Sequence, residues 1–153
     1  MLTLADDVLA GVSLEECLWQ VDESSWTVQQ RDGDWYGELG AETPDMATPS
    51  LAWTMWHPIW WLTTLLAHVH DETPPEPSEV VWPGPGGTLP ELRRLWGGWM
   101  AFVASHDDEG LAAASTIAFP YDDGRPFVHV AGWASMELTK NLAEMCMQRR
   151  LRG

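Results

Sequence analysis

Three stretches of the chain repeat apolar residues at spacings of three and four, the period of a helix with one buried face. The first follows Thr48-Pro49-Ser50, with Thr48 or Ser50 as its cap, and runs to about His70. Pro58 lies inside it, removes one backbone hydrogen bond and is expected to kink it. The second runs from Thr88 to about His106, with Thr88 as cap, Pro90 in the first turn and Glu91 at the positive end of the helix. Its apolar stripe is Leu92, Leu95, Trp96, Trp99, Phe102 and Val103, and Gly97-Gly98 either weakens it or lets a neighbour come close. The third runs from about Pro126 to Leu151 and finishes on Arg149, Arg150 and Arg152, cations that complement the negative end of a helix.

The intervening segments are polar or rich in chain-breaking residues. Thr73 to Gly87 is dense in proline and glycine and reads as a loop. Pro120 to Pro126 reads as a turn centred on Asp123-Gly124. Residues 22–47 are polar and irregular, with a hairpin signal at Asp32-Gly33. Leu4 to Leu9 forms a short helical turn, and Ser13-Leu14-Glu15-Glu16 has the spacing of a capping box that opens a short helix to about Val21. Three long helices with short N-terminal pieces predict an all-α bundle in a single domain, and 153 residues suit one core.

Composition changes this picture in two ways. Eleven tryptophans against three phenylalanines and two tyrosines let a short chain build a large aromatic core. A formal charge of -15 leaves no basic surface for phosphates, which excludes nucleic acid, and disfavours an anionic membrane. Residues 46–70 carry no Asp, Glu, Lys or Arg, a length that could span a bilayer. Pro49, Pro58, three histidines and mid-segment tryptophans, with acidic flanks at Asp45 and Asp71-Glu72, argue against a membrane helix. Cys17 and Cys146 are far apart and fit no C-x-x-C pattern, as expected of a reducing, cytoplasmic compartment without a structural disulfide. The N-terminus has no basic-then-apolar leader pattern.

The chemistry concentrates in LAWTMWHPIWW, residues 51 to 61. On a helix Trp53, Trp56, His57, Trp60 and Trp61 share one arc, so His57 is expected to point inward. A buried imidazole needs a hydrogen-bond partner or a metal. The last helix offers Glu137, Asn141, Glu144 and Gln148 at i, i+4, i+7 and i+11, a polar stripe that either faces solvent or meets His57 inside the bundle. Trp53, Trp60 and Trp133 are candidates to wall an apolar cavity. No Ser-His-Asp arrangement, phosphate-cradling glycine loop or dinucleotide fingerprint is present.

Taken in order, these segments resemble the DinB-like (damage-inducible) superfamily. The resemblance rests on Trp56-His57 in a tryptophan-rich helix and on the proline-rich crossover after it. It rests also on Arg125-Pro126-Phe127 opening a last helix with Glu137-Leu138-x-Lys140-Asn141-x-Ala143-Glu144. The stretches Leu14 to Trp19 and Ser25-Trp26-Thr27-Val28 extend it over about residues 13 to 152. It implies a four-helix bundle, commonly a homodimer, with a divalent metal (zinc or nickel) held by three histidines. It further implies relatives that transfer or isomerise small-molecule thiols, the metal activating the thiol as thiolate. His57 matches the first histidine, whereas Glu137 and Asn141 stand where the H-x-x-x-H pair belongs. Asparagine is a poor zinc ligand, so the set would bind a metal weakly or none, and His57 with Glu137 could instead form a buried pair. The family's first helix is long, whereas only about ten residues precede Ser13, so the expectation is a shortened first helix, a sequence that starts late, or a bundle completed by a partner chain. Two expectations therefore stand side by side. One is a metal-assisted, thiol-dependent transferase with a degenerate site. The other is a non-catalytic, metal-free bundle that binds a small apolar ligand or a protein partner.

Overall fold

The computed structural model describes residues 2–40 and 48–152. Along them run α1 (Leu2–Leu9), α2 (Leu14–Leu18), β1 (Gln29–Arg31), β2 (Asp34–Tyr36), α3 (Leu51–Val69), a 3-10 turn (Pro77–Glu79), β3 (Val81–Trp82), α4 (Gly84–Ala104), α5 (Asp108–Ala112) and α6 (Phe127–Arg152). The protein is mainly helical. The part of the irregular 22–47 segment at residues 41–47 lies outside the described residues.

α3 is the central element. Leu51 to Ile59 are all buried, and so are Trp61, Leu62, Thr64, Leu65 and Ala67. A helix apolar all round belongs inside a protein rather than on it. Ser50 is its cap: its hydroxyl accepts from Trp53 N at 3.2 Å. The helix passes through Pro58 as one element. α4 and α6 pack on α3, and α1 lies across α4 and α6. Trp56, Trp61 and Trp99, with Leu62, Leu65 and Leu138, are at most 1% exposed and form the centre of the core. Among the described residues no helix is long and apolar enough to cross a membrane.

Beside the helices, the hairpin signalled at Asp32-Gly33 is extended by one strand into a small three-stranded antiparallel sheet in the order β1-β2-β3. Asp32 (φ 53) and Gly33 (φ 96) make the β1–β2 turn, both in the left-handed region that a two-residue hairpin requires. β3 joins by pairing Trp35 with Trp82 and Tyr36 with Val81. It lies within the Thr73–Gly87 segment expected to be loop, and two residues are too few to display an alternating pattern. Indole N–H groups tie this layer to the helices. Trp56 Nε1 donates to Val80 O at 2.9 Å and Trp53 Nε1 to Glu38 O at 2.8 Å. Gly37 lies directly against the Trp56 ring, where a Cβ would come within 2.1 Å of it.

Two boundaries move for local reasons. α4 begins at Gly84, not Thr88. Thr88 is therefore inside the helix, where its hydroxyl donates to Gly84 O at 2.7 Å and accepts from Trp82 Nε1 at 2.8 Å. α2 ends at Leu18 rather than near Val21. Ser13 does cap it, accepting from Glu16 N at 3.1 Å, but the Glu16 carboxylate turns to Arg149 Nε at 2.7 Å. Arg149 also donates to Val8 O and Ala10 O, so it satisfies carbonyls at the end of α1.

Candidate functional site

His57 lies where the helical arc predicts, on the inner face of α3 and 9% exposed. Its ring stacks on Trp53 at 4.9 Å between centroids and 11° between planes, and it tilts against Trp60 at 5.7 Å. α6 brings Glu137 to it, with Oε1 4.0 Å from His57 Nδ1. That separation is too long for a hydrogen bond, and Nδ1 makes none among the described residues. The same carboxylate oxygen instead lies 2.6 Å from Lys140 Nζ, one helical turn on. Lys140 is also 4.0 Å from Glu144.

These neighbours decide the charge of the imidazole. Burial lowers its pKa from 6.5 to about 4, Lys140 pushes it the same way, and the Asn141 side chain opposes them. Glu137 alone would favour imidazolium, but the ammonium resting on its oxygen cancels much of that field. His57 is therefore a neutral base at physiological pH.

Asn141 is fully buried, and its side chain is bonded on both sides. Its oxygen accepts from Trp61 Nε1 at 3.2 Å, and its nitrogen donates to Glu144 at 3.2 Å. Gln148 Nε2 reaches back to α3, donating to Pro49 O at 3.0 Å and to Thr54 Oγ1 at 2.7 Å. The structure thus brings His57, Glu137 and Asn141 into one neighbourhood, one of the two directions that the stripe on α6 left open. It also adds Lys140, which sequence reasoning did not place in the site. The signal for Lys140 was present: Glu137, Lys140 and Glu144 have the i, i+3, i+7 spacing of side chains that meet on one helix face.

Beside this cluster is a cavity of about 420 Å³ between α3 and α6. His57, Asn141, Lys140 and Glu144 line one end, and Trp53, Pro49, Met147 and Leu151 supply apolar wall. This volume falls in the range of small-molecule sites. Of the three tryptophans expected to wall a cavity, only Trp53 does. Trp60 and Trp133 pack instead around Phe119, at 5.7 and 5.5 Å. Glu144 is 45% exposed at its side chain and lies at the rim of the cavity.

A divalent metal requires ligand atoms converging at about 2.0–2.2 Å, usually four of them. His57 and Glu137 supply two donors 4.0 Å apart, one of them covered by an ammonium. The Asn141 oxygen is bonded to an indole N–H. Among the described residues no group of three His, Cys, Asp or Glu side chains could hold a metal ion. This donor arrangement does not fit a zinc or nickel site. Both cysteines are free thiols, and burial pushes Cys17 up to about 12, so it is not a nucleophile at neutral pH.

No protein-family model matches the chain, and no characterised protein or solved structure matches it either.

Proposed function

We propose that the cavity between α3 and α6 binds a small, largely apolar molecule without a metal, and that the protein is a non-catalytic binding domain. On this reading the chain is a DinB-like four-helix bundle in which Glu137 and Asn141, at two of the metal-ligand positions, are engaged by Lys140 and Trp61 instead. One observation carries it: the Glu137 oxygen nearest His57 lies 2.6 Å from Lys140 Nζ, so an ammonium already takes up the donor a metal would need. The order of motifs from Leu14 to Glu144 supports the family assignment. The apolar wall of Trp53, Met147 and Leu151 supports the choice of ligand.

A second reading has one observation in its favour. Neutral imidazole is the metal-binding form of histidine, and His57 is held neutral with a carboxylate close by. Elemental analysis separates the two. Purified, tag-free protein incubated with zinc, nickel or manganese and then desalted is expected to carry far less than one metal per chain. His57→Ala and Glu137→Ala should leave that value unchanged. About one metal per chain, lost in both variants, would replace the binding-domain reading with a metal-assisted transferase of small-molecule thiols.

A further inference from the structure

The charges around the cavity do not balance. Glu137 and Glu144 share one ammonium, that of Lys140, and they share it unequally. Lys140 Nζ lies 2.6 Å from Glu137 Oε1 and 4.0 Å from Glu144 Oε1. The first is a charge-assisted hydrogen bond, and the second is too long for one. His57 adds no charge, because burial holds it neutral. Two carboxylates and one ammonium leave this end of the cavity with one net negative charge.

Glu144 is the carboxylate left over. Its Oε2 accepts from Asn141 Nδ2 at 3.2 Å, and its Oε1 makes no hydrogen bond among the described residues. Asn141 is sealed in the core, but the Glu144 side chain is 45% exposed and lines the cavity, so this carboxylate is open to a ligand. Met147 lies one helical turn beyond it on α6 and Leu151 one turn further, and both belong to the same wall. Apolar surface therefore begins directly beside the carboxylate. The nearby cations do not reverse the sign. Arg149 and Arg152 are paired with Glu16 and Glu15 at 2.7 and 2.8 Å, and Arg150 is exposed and outside the wall. The chain as a whole carries -15, and its field draws cations toward the cavity.

We infer that the cavity takes a small organic cation, a protonated amine on a compact apolar body. Its ammonium pairs with Glu144, and its body lies against Met147 and Leu151. This rests on the cavity being a binding site, and it adds the sign of the ligand's charge.

Three probes of equal chain length test it: hexylamine, which is protonated at neutral pH, 1-hexanol and hexanoate. Each is titrated into the full chain, and the NMR signal of the Met147 methyl group reports binding in the cavity. Hexylamine should bind about threefold more tightly than hexanol, the gain of a solvent-exposed ion pair. It should bind about tenfold more tightly than hexanoate, which Glu144 repels. Glu144→Gln keeps an oxygen for Asn141 and removes the charge, and it should bring hexylamine to within about twofold of hexanol. In the parent protein the same advantage should shrink when sodium chloride is raised from about 10 mM to 1 M. The inference is overturned if hexanol or hexanoate binds as tightly as hexylamine, or if the advantage of hexylamine persists in Glu144→Gln or at high salt. Equal binding of all three probes would remove the preference for a cation while the cavity reading survives. No shift of the Met147 signal with any probe would remove both.

Discussion

His57 is held as a neutral base inside an acidic molecule, and that has a direct effect on stability. Its pKa falls from 6.5 in the unfolded chain to about 4 in the folded one. Between those values the unfolded chain takes up a proton that the folded chain does not. Folding therefore loses stability as pH drops through 6.5, and this loss levels off below about 4. The shift corresponds to a loss of about 2 kcal/mol on going from pH 7 to pH 5. Urea unfolding at both pH values should show His57→Gln to be flatter than the parent by about that amount. Equal slopes in the two proteins would mean that the imidazole titrates normally. At this scale much of the site was legible. The arc of α3 placed His57 inward, and the stripe on α6 put Glu137 and Asn141 on one face without deciding whether that face meets His57 or solvent. The roles were not legible, because they depend on which partner each atom reaches. Asn141 spends its oxygen on Trp61, and Glu137 spends one of its oxygens on Lys140.

At the scale of elements, short pieces are held by long side chains from distant helices. α1 has eight residues, fewer than an isolated helix needs to be stable in water. Arg149, from the far end of α6, donates to its last carbonyls and to Glu16 of α2. Hydrogen bonds from a charged donor contribute about 1.5–3 kcal/mol each, and a buried carbonyl left without a partner adds to the loss. Arg149→Met is expected to lower the unfolding free energy by roughly 2 kcal/mol and to speed hydrogen exchange of the α1 amides first. The same change at exposed Arg150 should stay within about 0.5 kcal/mol. Equal effects at the two positions would show that the clamp adds nothing. Sequence reasoning read these arginines as complements to their own helix end. That is sound for an isolated helix, but it cannot see that α1 and α2 end beside them. The long helices were legible because period and caps are local properties. The third strand was not, because Trp82 is recruited by pairing with Trp35 across 47 residues.

Over the whole molecule, 23 acidic groups face eight lysines and arginines. Ion pairs such as Asp6–Arg93 and Glu91–Arg94 are solvent-exposed and contribute little. Excess negative charge repels itself in the compact state more than in the unfolded chain. Raising sodium chloride from about 10 mM to 1 M shortens the screening length from about 30 Å to 3 Å. The melting temperature should therefore rise with salt, and calorimetric scans at constant pH would show it. A steady fall would mean that the surface pairs outweigh the repulsion.

The sheet and the helices meet at a place where volume has already been fully assigned. Gly37 contributes only backbone there because the Trp56 ring occupies the space a Cβ would take. The two positions share one volume, and the indole holds nearly all of it. A larger residue at 37 meets a rigid aromatic ring that is itself anchored to Val80 and 0% exposed, so it has nowhere to move. Change at this contact has an order: a smaller side chain must come first at 56, and only then does 37 become free to vary.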